Sequence, residues 1–274
     1  PLWGDLSKKI MADLDMKAAS DPLRVSEEYS AYFGRRALND LIIKEINDKS
    51  WVPGDLYKKL LSLPWTEVLT TNWDTLLERS SKDLHRKVYS EVNRQEDLSS
   101  SRSPRIVKLH GTVGITEDLT FTEEDYRRYP SKKAAFVNFA RQVFIENELC
   151  LIGFSGDDPN FLKWAGWVRD QLAGNARRIY LVGALNLSPA KRKYLESINV
   201  SPIDLESCVS DINNVNKKHE IACELFLETL WSLRPLLTFQ ENLCSSHKQQ
   251  FFLLHEYPQV YQTQVLLPQL KDHS

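Results

Sequence analysis

Thr71-Asn72-Trp73-Asp74 and, 38 residues further on, Leu109-His110-Gly111 put an amide, a carboxylate and an imidazole directly after two short β-type runs. The runs are Glu67-Val68-Leu69-Thr70 and Arg105-Ile106-Val107-Lys108. In an open α/β sheet, ligands bind outside the carboxyl ends of the strands. Both motifs are therefore expected to line one crevice, with groups suited to chemistry on a ribose. A histidine at a strand end is well placed as a general base, because its pKa lies near neutral. Gly111 beside it permits close backbone approach. Each residue also has a plainer explanation. Asn72 fits a turn or helix cap, Asp74 a first-turn acid facing a helix dipole, and His110 a buried, hydrogen-bonded side chain.

Two further loops belong to the same edge. Gly153-Phe154-Ser155-Gly156-Asp157-Asp158 follows the apolar run Leu149-Cys150-Leu151-Ile152 and precedes a helix. Its small residues leave room for a ligand, and the helix N-terminus offers N–H groups to anionic oxygens. A tight turn with acidic capping explains the same letters. Val182-Gly183-Ala184-Leu185-Asn186 follows the next apolar run. The chain contains neither a G-x-x-x-x-G-K phosphate loop nor a G-x-S-x-G nucleophile elbow. His110 has no partner His or Cys at ligand spacing, so no metal site is expected.

The elements that must position these groups can be read from periodicity. Residues 5–63 carry helical spacing, with Leu6, Ile10, Met11 and Leu14 in the first stretch. Strands are expected at 65–71, 105–109, 149–154, 178–182 and 200–205, with a short one at 87–89. Helices are expected at 74–80, 131–147, 158–172, 188–198 and 219–233. Alternating strands and helices imply a parallel sheet with right-handed crossovers. The expected class is α/β: a Rossmann-like parallel sheet with helices on both faces, a helical subdomain and a C-terminal helical appendage. Residues 1–205 read as the main domain. Residues 206–274 read as a mostly helical appendage, or a linker to a further domain, that packs back on the sheet or joins a partner.

Bulk properties exclude little but point one way. The 274 residues fit one large domain, or a domain plus an appendage. With 35 basic and 37 acidic residues, no global attraction to nucleic acid or membrane is expected. No apolar run approaches the roughly 18 residues of a membrane span. Four cysteines without a C-x-x-C pair suggest reduced thiols in a cytoplasmic protein. No signal peptide is read. The chain opens on Pro1-Leu2-Trp3-Gly4-Asp5-Leu6, as if leaving a loop, and a start further upstream is expected.

Four segments together resemble the Sir2-like family, in its branch of bacterial NAD-consuming defence proteins. They are Val68-Leu69-Thr70-Thr71-Asn72-Trp73-Asp74, Lys108-Leu109-His110-Gly111, Phe121-Thr122-Glu123-Glu124-Asp125-Tyr126 and Leu151-Ile152-Gly153-Phe154-Ser155-Gly156-Asp157-Asp158-Pro159-Asn160. The resemblance covers roughly residues 1–205. It implies NAD+ as substrate, with Asn72, His110 and Asp74 catalytic. It implies cofactor contacts from Thr71, Gly153, Phe154, Ser155, Asp157 and Asn186. The implied reaction is cleavage of the nicotinamide–ribose bond to nicotinamide and ADP-ribose, serving anti-phage defence by NAD depletion. Such proteins are silent until a sensor or partner assembles them, so a homo-oligomer or an activating partner protein is implied.

The sequence departs from the family in three places. The leading Gly-Ala-Gly phosphate loop is missing and is expected upstream of Pro1. The four-cysteine zinc module of the deacetylases is absent between His110 and Gly153. Thr71 stands where deacetylases commonly carry glutamine. A protein deacylase, a catalytically inactive nucleotide-binding module and an enzyme making cyclic or transferred ADP-ribose remain as alternatives.

Overall fold

A computed structural model describes residues 3–16, 21–85, 88–154, 158–243 and 251–255. Its centre is a seven-stranded, all-parallel sheet. In chain order the strands are β1 (Glu67–Thr70), β2 (Ser90–Val92), β3 (Arg105–Lys108), β4 (Glu148–Ile152), β5 (Ile179–Gly183), β6 (Val200–Asp204) and β7 (Phe251–His255). Across the sheet the order is β2-β3-β1-β7-β4-β5-β6. The helices are α1 (Trp3–Asp13), α2 (Pro22–Phe33), α3 (Arg35–Glu45), α4 (Asp55–Ser62), α5 (Leu76–Lys82), α6 (Glu123–Lys132), α7 (Ala134–Glu146), α8 (Pro159–Leu172), α9 (Pro189–Ser197) and α10 (Val215–Leu243).

Helix starts follow local chemistry. Asp21, Asp158 and Ser188 each cap a helix whose first residue is proline. Proline loses nothing at that position, because its absent N–H would be unpaired there anyway. Thr122 and Asp125 form a reciprocal capping box at the start of α6.

Side chains alternate across the strands and split the core in two. Leu69, Val107, Leu149, Leu151, Ile179 and Leu181 meet α7, α8 and α9 on one face. Val68, Ile106, Cys150, Ile152 and Val182 meet α4, α5 and α10 on the other. Burial on both faces is why these strands read as continuous apolar runs. A third cluster joins α1, α2 and α3 to Val113, Leu119 and Phe121. α1, α2 and α3 thus sit on the loop that follows β3 rather than on the sheet.

Several details depart from expectation. The short strand at 87–89 lies instead at Ser90–Val92, where it pairs with β3; Lys87 itself falls outside the described residues. The helix expected over 131–147 begins at Ala134, because the chain leaves helical geometry at Lys133, where α6 ends. The helix expected over 219–233 spans Val215–Leu243, continuing past Pro235. Proline removes one backbone donor, and here that does not end the helix.

Beyond residue 205 the chain contributes directly to the sheet. α10 supplies Cys223 and Leu227 to the core. β7 then fills the central slot, with Leu254 in register with both Leu69 of β1 and Leu151 of β4. Without it, β1 and β4 would each present an unpaired edge.

Candidate active site

Thr71–Asp74 and Leu109–Gly111 leave adjacent strands, and the backbone ties the two loops together at both ends. Leu109 N donates to Thr70 O at 2.9 Å, and Val113 N donates to Trp73 O at 2.8 Å. Asn72 and His110 lie between these two links, and both are buried. The two motifs predicted to share a crevice are therefore brought side by side.

Backbone geometry explains the residue types. Asn72 N donates to the Thr70 hydroxyl at 3.1 Å, which turns the chain out of β1. Gly111 has φ +89°, in the left-handed region. A methyl group there would sit 2.6 Å from Thr116 Oγ1. That hydroxyl is already fixed, accepting from Thr112 N at 2.8 Å. Thr120 N donates to His110 O at 3.0 Å, so the returning loop clamps the histidine's backbone.

His110 is enclosed by α6 and the first turn of α8. Tyr126 and Tyr129 meet its ring edge to face, with centroids 5.2 Å and 5.7 Å away. Its Nε2 lies 3.3 Å from Asn160 Nδ2 and 4.0 Å from Asp158 Oδ2. Burial holds the imidazole pKa below its usual value, opposed by the carboxylates of Asp158 and Asp125. Burial thus favours the neutral form of the ring, the form that can accept a proton.

Asp74 does not hang free at the crevice. Its carboxylate accepts from the N–H of Leu76, the first residue of α5, at 3.0 Å. Its backbone carbonyl accepts from Lys108 Nζ. Lys108 is buried and 3.5 Å from Glu78, which is also buried. Burial raises the Glu78 pKa, against the lowering effect of Lys108.

The remaining predicted contacts divide. Thr71 Oγ1 is buried at the strand end with no hydrogen-bond partner among the described residues. Gly153 turns the chain at φ +64°. Phe154 faces the core, packed on Phe161 with centroids 4.9 Å apart; it shapes the turn from below. Ser155 and Asp157 lie outside the described residues. Asn186 is exposed, at φ +45°, in a loop after β5 that Asp204 holds by accepting from Leu185 N and Leu187 N.

Sequence reasoning assigned no site role to Tyr126, Asp158, Asn160, Lys108 or Glu78. A lysine inside an apolar strand next to a histidine was the legible signal for Lys108. For Asp158 the cap role was legible, and for neither Asp158 nor Asn160 was the inward face. Among the described residues no group of three or more His, Cys, Asp or Glu is placed to hold a metal ion. Among them, too, no helix is long and apolar enough to cross a membrane.

Comparison with known proteins agrees with this architecture. A family model described as a SIR2-like domain matches residues 66–203, from β1 to β6. NAD(+) hydrolase ThsA of Acinetobacter baumannii (strain 532279) is 26% identical over 186 residues, which is 66% of this chain and 38% of that protein. NAD(+) hydrolase ThsA of Enterococcus faecium is 24% identical over 176 residues, 62% of this chain and 36% of that protein. Defense-associated sirtuin 2 of Bacillus subtilis is 22% identical over 221 residues, 77% of this chain and 22% of that protein. The matched segment thus spans well under half the length of each relative. With its parallel sheet, its strand-end Asn72 and His110, and a family match over half its length, the chain belongs to the SIR2-like domain family.

Proposed function

We propose that this chain carries the catalytic site of an NAD+ hydrolase that cleaves the nicotinamide–ribose bond, giving nicotinamide and ADP-ribose. The placement of Asn72 and His110 on two strand ends joined by backbone hydrogen bonds supports this reading most directly. The relatives named as NAD(+) hydrolases support it as well.

Breaking that bond leaves positive charge at the ribose C1′, so an enzyme must aim a nucleophile there and remove its proton. Asn72 orients the water or the ribose hydroxyls. His110, its neutral form favoured by burial, takes the proton. Asp74 fixes the loop that carries Asn72, and its role toward the carboxamide of nicotinamide depends on releasing Leu76 N. The unpartnered Thr71 hydroxyl and the turn at Gly153 supply dinucleotide contacts, and Ser155, Asp157 and Asn186 are proposed as further ones. NAD depletion in anti-phage defence, switched on by self-assembly or a partner protein, completes the proposal. The name of the Bacillus subtilis relative supports that setting.

The test is incubation of the full-length protein with NAD+ and chromatography of the products. His110→Ala and Asn72→Ala are each expected to lower turnover by ~10²–10⁴. If both variants consumed NAD+ at the wild-type rate, the assignment would fail. Cyclic or transferred ADP-ribose as the main product would replace hydrolysis with one of those reactions.

A further inference from the structure

Asp158 caps α8 and Asn160 sits in its first turn, and both reach His110. Their roles differ by chemistry. The amide nitrogen of Asn160 is a pure donor, 3.3 Å from Nε2. That contact serves the neutral ring, with Nε2 as acceptor and the proton on Nδ1. A protonated ring needs an acceptor at Nε2 instead. Asp158 Oδ2 stands 4.0 Å away, one small movement from a charged hydrogen bond.

Asp158 is itself held from two sides. Oδ2 accepts from the Tyr126 hydroxyl at 2.8 Å, and Oδ1 accepts from Phe161 N at 2.8 Å. Tyr126 and Tyr129 from α6, with Asn160 of α8 and its cap Asp158, lie against the ring, and Asp125 of α6 acts on it through its charge. Of the two carboxylates, Asp125 is ion-paired with Arg35 at 2.7 Å. Asp158 has no cationic side chain paired with it among the described residues other than His110. It is the carboxylate whose charge is left for the imidazolium.

We propose that Asn160 and Asp158 are positioning residues that hold the two protonation states of His110 in turn, Asn160 the neutral base and Asp158 the imidazolium formed during turnover. The inference rests on the function proposed above. An incoming hydroxyl displaces the Asn160 amide from Nε2. The O–H bond breaks, its electron pair stays on the attacking oxygen, and the new N–H forms at Nε2 facing Asp158. Release of that proton to solvent restores the contact with Asn160.

The test follows the His110 imidazole by nitrogen-15 NMR in the full chain across pH, alongside steady-state kinetics with NAD+. The His110 resonance is assigned by its loss in His110→Asn. Asp158→Asn keeps a good helix cap. It is expected to move the His110 titration to lower pH and to cut kcat by about tenfold or more with little change in KM. Asn160→Asp is expected to move the titration to higher pH. Should Asp158→Asn fail to fold, Asn160→Asp carries the test with the opposite sign. An unchanged His110 titration in a folded variant overturns the proposal. If the wild type leaves NAD+ intact while both titrations move as stated, the hydrolase reading fails and the positioning role stands.

Discussion

Lys108 reaches from the end of β3 to the backbone carbonyl of Asp74, and its ammonium lies 3.5 Å from Glu78. One buried cation thereby joins the strand that carries His110 to the loop that carries Asn72. Breaking a buried pair from one side strands the other charge.

Lys108→Met is accordingly expected to destabilise the fold by roughly 3–5 kcal/mol, because Glu78 then stays buried without its cation. Glu78→Gln strands the Lys108 ammonium in turn, but that group keeps the Asp74 carbonyl as a partner, so a smaller loss is expected. Urea denaturation at pH 7 distinguishes the two. Equal losses in both variants would show that each charge depends equally on the other, and a negligible loss in Lys108→Met would show that Lys108 acts only by filling space.

Asp74 separates a structural from a chemical role. Asp74→Ser keeps a side-chain acceptor for Leu76 N, whereas Asp74→Ala loses it at a cost of about 1 kcal/mol. If the carboxylate only holds Leu76 N, Asp74→Ser should turn over NAD+ near the wild-type rate. Loss of turnover in a stable Asp74→Ser variant would assign the carboxylate to substrate.

Gly111→Ala combines a left-handed backbone with a contact of 2.6 Å to a fixed hydroxyl. The expected penalty is at least about 1–2 kcal/mol from the backbone alone. Thr116→Ser should leave the clash in place, while Thr116→Gly should relieve part of it. Thermal denaturation of the three variants, with the double mutant Gly111→Ala/Thr116→Gly, measures the coupling.

Acid should weaken the fold through His110. Its folded pKa is lowered from 6.5, first by burial, so the unfolded chain binds the proton more readily. The stabilising contribution is complete above about pH 6.5. It declines as pH falls from there toward the folded pKa, then levels off. His219, on α10 against Gly183, is lowered by burial too and adds to the same slope. Replacing both by asparagine should flatten the stability profile in that window, and an unchanged slope would place the sensitivity elsewhere.

Much of this protein was legible before any coordinates. The α/β class followed from β-type runs alternating with helical spacing, since a strand buried on both faces must be apolar throughout. Asn72 and His110 stood out because each follows such a run, and strand ends share one edge of a parallel sheet. Helix starts at Asp158 and Ser188 were equally plain, because caps act over a few residues.

Non-local pairing decided the rest. Nothing in Phe251–His255 says that a strand from the far end of the chain lies between β1 and β4; only ladder hydrogen bonds between distant segments settle that. Nor does the local sequence say that a capping aspartate and its neighbour turn inward to meet His110, 50 residues before Asn160. Periodicity and capping are short-range properties of the chain, whereas the environment of a buried imidazole depends on which helices close over it.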